Sequence, residues 1–384
     1  MKSFISKWAI AAVLSLSLSL SAEAAQTKQT VSQVTSEVTL TGEVDYIVTS
    51  STPFGASGVV NIADTEHSVL ILSNVVPSKA ATMLSHVRIG GRAAVNNSNC
   101  MVRIYAGGSI ILPYSSDIKP LTVYTGTDCT GETAQYGVGN RVSLRGNAMN
   151  NNIRSFTLKR GYMVCFMTRA DGTGYSRVFI ADSEDKTVNL PAILSGTISA
   201  LRVQQWNDSG KKGYAGNATD ANTALKTTWC YNWDAGVNVW ADREYVTQHH
   251  HEGWPGIADV GNNGTSANIL GNNEPDNTGD DREQVNTVEE VLATWPQMMA
   301  TGRRLGSPAM SSDLNWLYRF IDSIDARGWR CDFVVMHCYW YSDWSSWLNT
   351  LRTVHNRTKR PIWITEMNYG ANWTGWPLSL IHIS

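Results

Sequence analysis

The chain has 384 residues, is 42% hydrophobic and carries a formal net charge of −2. That length suits about two domains with cores of their own. A near-neutral balance without blocks of like charge argues against nucleic acid or an acidic membrane surface as partner. Six cysteines, none in a CxxC pair, argue against a zinc site.

Lys2 and Lys7 precede an apolar run over residues 8–20, and Ala22-Glu23-Ala24 follows it. A charged head, a short apolar stretch and small residues at −3 and −1 predict a cleavable signal peptide over 1–24. The run is too short to span a bilayer, and no cysteine follows the cleavage site to take a lipid. The mature protein is expected to be secreted or periplasmic, with no membrane span. Export permits disulfides, and a bridge among Cys100, Cys129 and Cys165 is open.

Residues 25–182 carry short β-branched runs at 38–42, 68–72, 102–105 and 109–112, separated by Gly, Asn, Asp and Pro. They predict an all-β, sandwich-like accessory domain. Residues 183–196 are polar, contain Pro191 and are expected to form a linker. Beyond them the composition changes. Of 15 tryptophans, 14 lie after residue 200.

Apolar runs at 201–206, 226–233, 243–250, 268–275, 303–310, 331–340 and 360–368 alternate, in the later part, with helical patterns. Thr287-Val288-Glu289-Glu290 is a capping box. Leu314, Leu317, Ile321 and Ile324 recur at helical spacing, as do Trp344, Trp347, Leu348 and Leu351. Strand and helix in alternation predict a parallel sheet. The whole chain is therefore expected to be multidomain, the N-terminal all-β domain being followed over 197–376 by a (β/α)8 TIM barrel that lacks its last unit.

Barrels place chemistry at the C-terminal ends of their strands. Those ends hold Asn273-Glu274, Glu366, His337-Cys338-Tyr339-Trp340 and Tyr231-Asn232-Trp233. A single acid is usually a solvated turn residue or the partner of an arginine. Two acids at strand ends across one mouth instead suit glycoside hydrolysis, one protonating the leaving oxygen and one attacking the sugar or activating water. Indole rings suit the apolar faces of sugars, although each tryptophan taken singly is more often packing. His337 is as readily a core histidine as a site residue. His249 and His251 would share a strand face and invite a metal, but no further ligand accompanies them at metal spacing, so no metal is expected.

The ordered stretches 228–233, 270–276, 305–309, 331–340 and 363–366 resemble glycoside hydrolase family 128, retaining β-1,3-glucanases of the TIM-barrel clan, and in particular bacterial members with an N-terminal β domain. The resemblance implies Glu274 as acid/base and Glu366 as nucleophile. It implies Asn273 at the hydroxyl beside the reacting carbon, and His337 and Tyr339 in the donor-sugar site, with Tyr339 orienting Glu366. Tyr231, Trp233, Trp340 and Trp373 join the substrate-binding set, the three tryptophans as sugar platforms. Glu274 is expected to be less acidic than Glu366, because the acid must start protonated. The implied partner is a laminarin-like β-glucan cleaved internally, with no cofactor, by a protein that is monomeric when complete. Alternatives are a glucanase acting on β-1,4- or mixed-linked glucan, or a glycan-binding protein without catalysis.

From residue 197 to the end there are 188 residues, against roughly 250 in a usual barrel. Residues 377–384 match no family pattern. The expectation is a barrel truncated near 376 with an unrelated tail, poorly stable or inactive as it stands.

Overall fold

The computed structural model describes residues 27–63, 68–236, 240–278, 285–340 and 342–368. The expected signal peptide over 1–24, Trp373 and the tail 377–384 lie outside the described residues. Among the described residues no helix is long and apolar enough to cross a membrane.

The β-rich half is two units. In the first, successive strands alternate between two sheets. Thr27–Val31, Val44–Val48 and Val69–Leu72 pair in parallel and then meet Gly108–Pro113 and Cys100–Tyr105 antiparallel. Glu37–Leu40, Val59–Ile62 and Val87–Ile89 build the second sheet, edged by Arg92–Ala93. Val48, Val60, Ile62, Leu70 and Leu72 fill the core of this unit. The second unit is a pair of four-stranded antiparallel sheets closed around Phe156, Phe166, Leu158 and Val164. Cys100 and Cys165 lie in these separate units as buried free thiols, so the bridge between them does not form.

Two sequence boundaries are corrected here. The expected linker 183–196 contains the strand Lys186–Asn189, paired antiparallel with Ser155–Leu158. Its alternating half-exposed pattern is that of a sheet edge, which composition cannot separate from a polar linker. The run 201–206, expected as the first barrel strand, is the strand Ala200–Gln205, antiparallel between Tyr162–Met167 and Val142–Ser143. Five of its six residues are buried because both of its faces are covered, a property that central antiparallel and parallel strands share.

The third part is a row of short parallel strands. Gly213–Ala215, Trp229–Tyr231 and Glu244–Tyr245 pair first, then Thr247–Gln248, Asn268–Leu270 and Arg304–Leu305, then Val334–Cys338 and Ile362–Met367. Parallel bridges at Gly306–Phe333 and Met310–Met336 connect the last two groups. Gly213–Ala215 lies alongside Ile362–Met367, so the ends of the row meet.

Helices follow the later strands as the sequence predicts. Val288–Ala300 opens on the Thr287/Glu290 capping box, while Leu314–Ala326 and Trp344–Thr358 open on Asp313 and Asp343 side-chain caps. Strand periodicity divides the core. Ile269, Val334, Met336 and Cys338 pack toward the helices with Trp295, Phe320 and Trp347. Trp229, Tyr231, Leu270, Phe333 and Val335 share the other face.

Arginines tie the second β unit to this parallel sheet. Arg202 Nη1 donates to Gly261 O (2.9 Å) and to Thr301 O. These carbonyls end the helices Ile257–Asn262 and Val288–Ala300, where a cation complements the helix dipole. Arg330 Nε donates to Ser176 Oγ at 3.0 Å.

Glu244 holds the connector that follows Ala200–Gln205. It is buried and accepts from Asn207 Nδ2 (3.0 Å) and Ser209 Oγ. Burial pushes its carboxyl up to about 7, against the lowering pull of Ser209, Asn207 and Arg303. Well below pH 4.5 the group is largely protonated whether the chain is folded or not. Between there and about 7 the folded protein holds a proton that the unfolded chain has lost, so stability falls as pH rises through this window. Glu244→Gln keeps the neutral shape. It is expected to be more stable than the parent at pH 8 by about 3 kcal/mol, with the gap closing toward pH 4.5. Denaturant midpoints across that range check this; equal midpoints at pH 8 contradict it.

Candidate active site

Tyr231, Leu270, Phe333 and Val335 occupy the face of the parallel strands away from the helices, and continuing each strand places the polar residues. Two residues beyond Val335 on Val334–Cys338 is His337, and two further is Tyr339. Two beyond Tyr231 is Trp233. Past Asn268–Leu270 the chain runs through Gly271 and two buried amides to Glu274. A Cβ at Gly271 would lie 2.8 Å from Pro308 N and from Ser307 C and O, so only glycine lets these backbones pass.

Glu366 breaks the alternation. Ile362 and Ile364 pack on the helix side and Trp363 on the other, so strict period two would turn Glu366 toward the helices. The ladder shifts register instead. Met336 faces Ile364, but His337 faces Glu366, which leaves Thr365 as the extra residue of a bulge. The bulge returns Glu366 to the Trp363 face.

There three donors converge on its carboxylate. Tyr231 OH (2.9 Å) and Trp233 Nε1 (2.7 Å) donate to Oε1, and Tyr339 OH (2.5 Å) donates to Oε2. Burial first, then the Glu366 carboxylate beside them, pushes the Tyr231 and Tyr339 hydroxyls above the usual phenol range. Both therefore remain donors.

Glu274 adopts φ +41°, a strained value for a non-glycine residue. Its amide donates to Ala309 O at 2.8 Å and fixes it beside the neighbouring strand end. His337 Nδ1 lies 2.7 Å from Oε1, and Asn277 Nδ2 donates to Oε2 at 2.9 Å. Burial raises the Glu274 carboxyl, but the His337 hydrogen bond and charge, with Asn277, outweigh it and hold it below the usual range. A Glu274 that starts protonated in the empty site is thus not what this geometry gives. His337 Nε2 points the other way, 3.5 Å from Glu366 Oε1.

One donor atom from each of Glu274, His337 and Glu366 falls within 4.8 Å of the others. Among the described residues this is the group able to gather on a cation, and hydrogen bonding within it already accounts for its geometry. The His249–His251 triplet does not form a shared face. The strand ends at Gln248, His249 Nδ1 turns to Pro255 O (2.8 Å), and His250 Nδ1 meets His251 Nδ1 (3.0 Å).

The sequence-predicted residues divide accordingly. Tyr231, Trp233, His337, Tyr339, Glu274 and Glu366 are brought together. Asn273 is buried next to Glu274, its amide donating to His250 O at 2.7 Å. Trp340 packs edge-to-face on Trp347, with ring centroids 5.3 Å apart, against the helix-side core. Asn277 was missed, and its only signal is its place three residues after Glu274. Asp276 accepts the amides of Ser311, Ser312 and Asp313 (2.8, 2.9 and 2.6 Å) and anchors the next loop.

Residues 206–375 match the family described as glycosyl hydrolase catalytic core. The match covers 170 of the 384 residues and none of the β-rich half. Among solved structures, the chain is similar to an endo-β-1,3-glucanase of family 128, subgroup I, from Amycolatopsis mediterranei in complex with laminaritriose. The two are 29% identical over 44% of this chain and 78% of the other, with a TM-score of 0.39. It is also similar to a family 128 oligosaccharide-binding protein from Trichoderma gamsii, 26% identical over 41% of this chain and 66% of that one, TM-score 0.34. A βγ-crystallin domain from Flavobacterium johnsoniae is 25% identical over 22% of this chain and 94% of that one, TM-score 0.20. No curated protein matches the chain.

The hydrolase core makes one electrostatic test available. Removing His337 takes away the main lowering influence on Glu274 and leaves its burial. In His337→Asn the Glu274 carboxyl is expected to titrate at higher pH than in the parent, read by 13C NMR of the labelled side chain. An unchanged or lower titration contradicts the pairing.

Proposed function

We propose that this hydrolase cleaves β-1,3-glucan internally and with retention, Glu366 acting as nucleophile and Glu274 as acid/base. The observation that carries the two-carboxylate reading is the approach of their oxygens to within 4.8 Å. Retaining sites hold the carboxyls about 5–5.5 Å apart, whereas inverting sites leave room for a water at roughly 6.5–9.5 Å. The linkage rests on the ordered motif resemblance to family 128. A row of parallel strands whose ends meet supports the (β/α)8 clan architecture. The charged-then-apolar pattern of residues 1–24 supports export, and we extend the proposal to a secreted or periplasmic, monomeric protein.

Each carboxylate has the surroundings its step needs. Tyr231, Trp233 and Tyr339 aim Glu366 at the anomeric carbon and leave it an acceptor. Glu274 sits lowered in the empty site, yet its side chain keeps 15% exposure. A bound sugar strips that solvent and pushes the carboxyl up toward the protonated form, from which it protonates the leaving oxygen. Water deprotonated by Glu274 then opens the glycosyl-enzyme. Asn273, beside the acid, is the proposed contact of the neighbouring hydroxyl.

Laminarin hydrolysis by the protein tests this. Glu366→Gln is expected to lose activity by more than about a thousandfold, and Glu274→Gln by about 10²–10⁴-fold. An aryl β-glucoside, whose leaving group needs no proton, should recover most of its glycosylation rate in Glu274→Gln only. Full activity of either variant on laminarin sinks the assignment. Equal cleavage of cellulose or mixed-linked glucan replaces the substrate, and binding without turnover in the parent favours the non-catalytic alternative.

A further inference from the structure

The two β units meet across a cleft of about 610 Å³, outside the hydrolase core. That is the size of a small-molecule pocket, roughly 300–1,000 Å³. Val69, Ile89 and Leu112 of the first unit give it apolar wall, and Tyr114 and Tyr162 add aromatic rings with hydroxyls.

Its charge is unbalanced. Arg92, Arg103, Lys159 and Arg160 line it, with Asp185 as the acid. Arg160 is committed to buried Asp45, and Lys159 lies 3.4 Å from Asp185. Arg103 is 5% exposed and has no carboxylate within 4.0 Å among the described residues. Its Nη1 donates to Gly161 O and its Nε reaches Met101 Sδ at 2.9 Å. The guanidinium lies 4.7 Å over the Tyr162 ring, and its Nη2 is buried with no hydrogen-bond partner. Burial holds Arg103 below the usual guanidinium range, against the raising pull of the Tyr162 and Tyr114 hydroxyls. A buried cation without a counter-charge is costly, and an anion at Nη2 would relieve that cost. Arg92 is exposed at the same cleft.

A guanidinium fork matches a carboxylate. An inorganic ion would leave most of 610 Å³ and the apolar and tyrosine walls unused. We propose that this cleft binds a carboxylate-bearing saccharide, Arg103 taking the carboxylate and Arg92 meeting it from solvent. The saccharide part rests on the proposed hydrolase reading; the anion part rests on the cleft alone.

Calorimetric titration of the full chain with cellobiouronic acid, cellobiose and acetate tests this. The uronic acid disaccharide is expected to bind saturably, weakening as salt rises. Cellobiose and acetate should each bind at least about tenfold more weakly. Arg92→Ala should weaken uronate binding about fivefold and Arg103→Lys, which keeps charge but loses the fork, about tenfold. Arg92→Ala should leave laminarin hydrolysis unchanged. Cellobiose binding as tightly as the acid, acetate matching it, no saturable uronate binding, or Arg92→Ala without effect each overturns the proposal. If Arg103→Lys does not fold, Arg92→Ala and the three probes still decide. Failure of laminarin hydrolysis with uronate binding intact removes the glucanase reading and leaves the anion cleft standing.

Discussion

The register shift at Thr365 is the constraint on which the site depends. A carboxylate two residues beyond Ile364 on an unbroken strand would face the helix-side core, away from Tyr231 and Val335. One extra residue turns Glu366 onto the face shared by Trp363 and His337. Only there do Tyr231, Trp233 and Tyr339, from two other strands, reach its two oxygens. The bulge leaves the ladder locally imperfect and gains three hydrogen bonds to a charged group, each stronger than a neutral one.

His337 joins the two halves of the proposed chemistry. Its Nδ1 meets Glu274 Oε1 and its Nε2 approaches Glu366 Oε1, so one imidazole stands between the two carboxylates. The imidazole hydrogen bond and charge, with Asn277, outweigh the burial of Glu274 and hold its carboxyl below the usual range.

The β units are held by buried arginines more than by a shared apolar core. Arg202 reaches two helix C-termini across the junction, and Arg330 reaches Ser176. Such contacts fix orientation through directed donors, and they are costly to leave unpaired. Glu244 adds a buried acid at the connector, favoured in its neutral form.

Local signals in the sequence carried far. The Thr287/Glu290 capping box, the apolar spacing of Leu314–Ala326 and the alternation of strand and helix follow from residue-by-residue physics, and the described elements keep them. Glu274 and Glu366 stand at strand ends because apolar runs stop just before them. Long-range pairing was not legible. Residues 201–206 have the composition of a buried strand, but which neighbour covers them, and in which direction, is decided across the chain. Lys186–Asn189 looks like a linker until Ser155–Leu158 pairs with it. Trp233 and Trp340 are the same residue type beside the same kind of strand, yet one donates to Glu366 and the other packs on Trp347. By itself the sequence determined which residues lie at strand ends, through periodicity and capping. Only the tertiary structure decided which face each one meets, because a single bulge or a change of partner strand reverses that face without altering the local pattern.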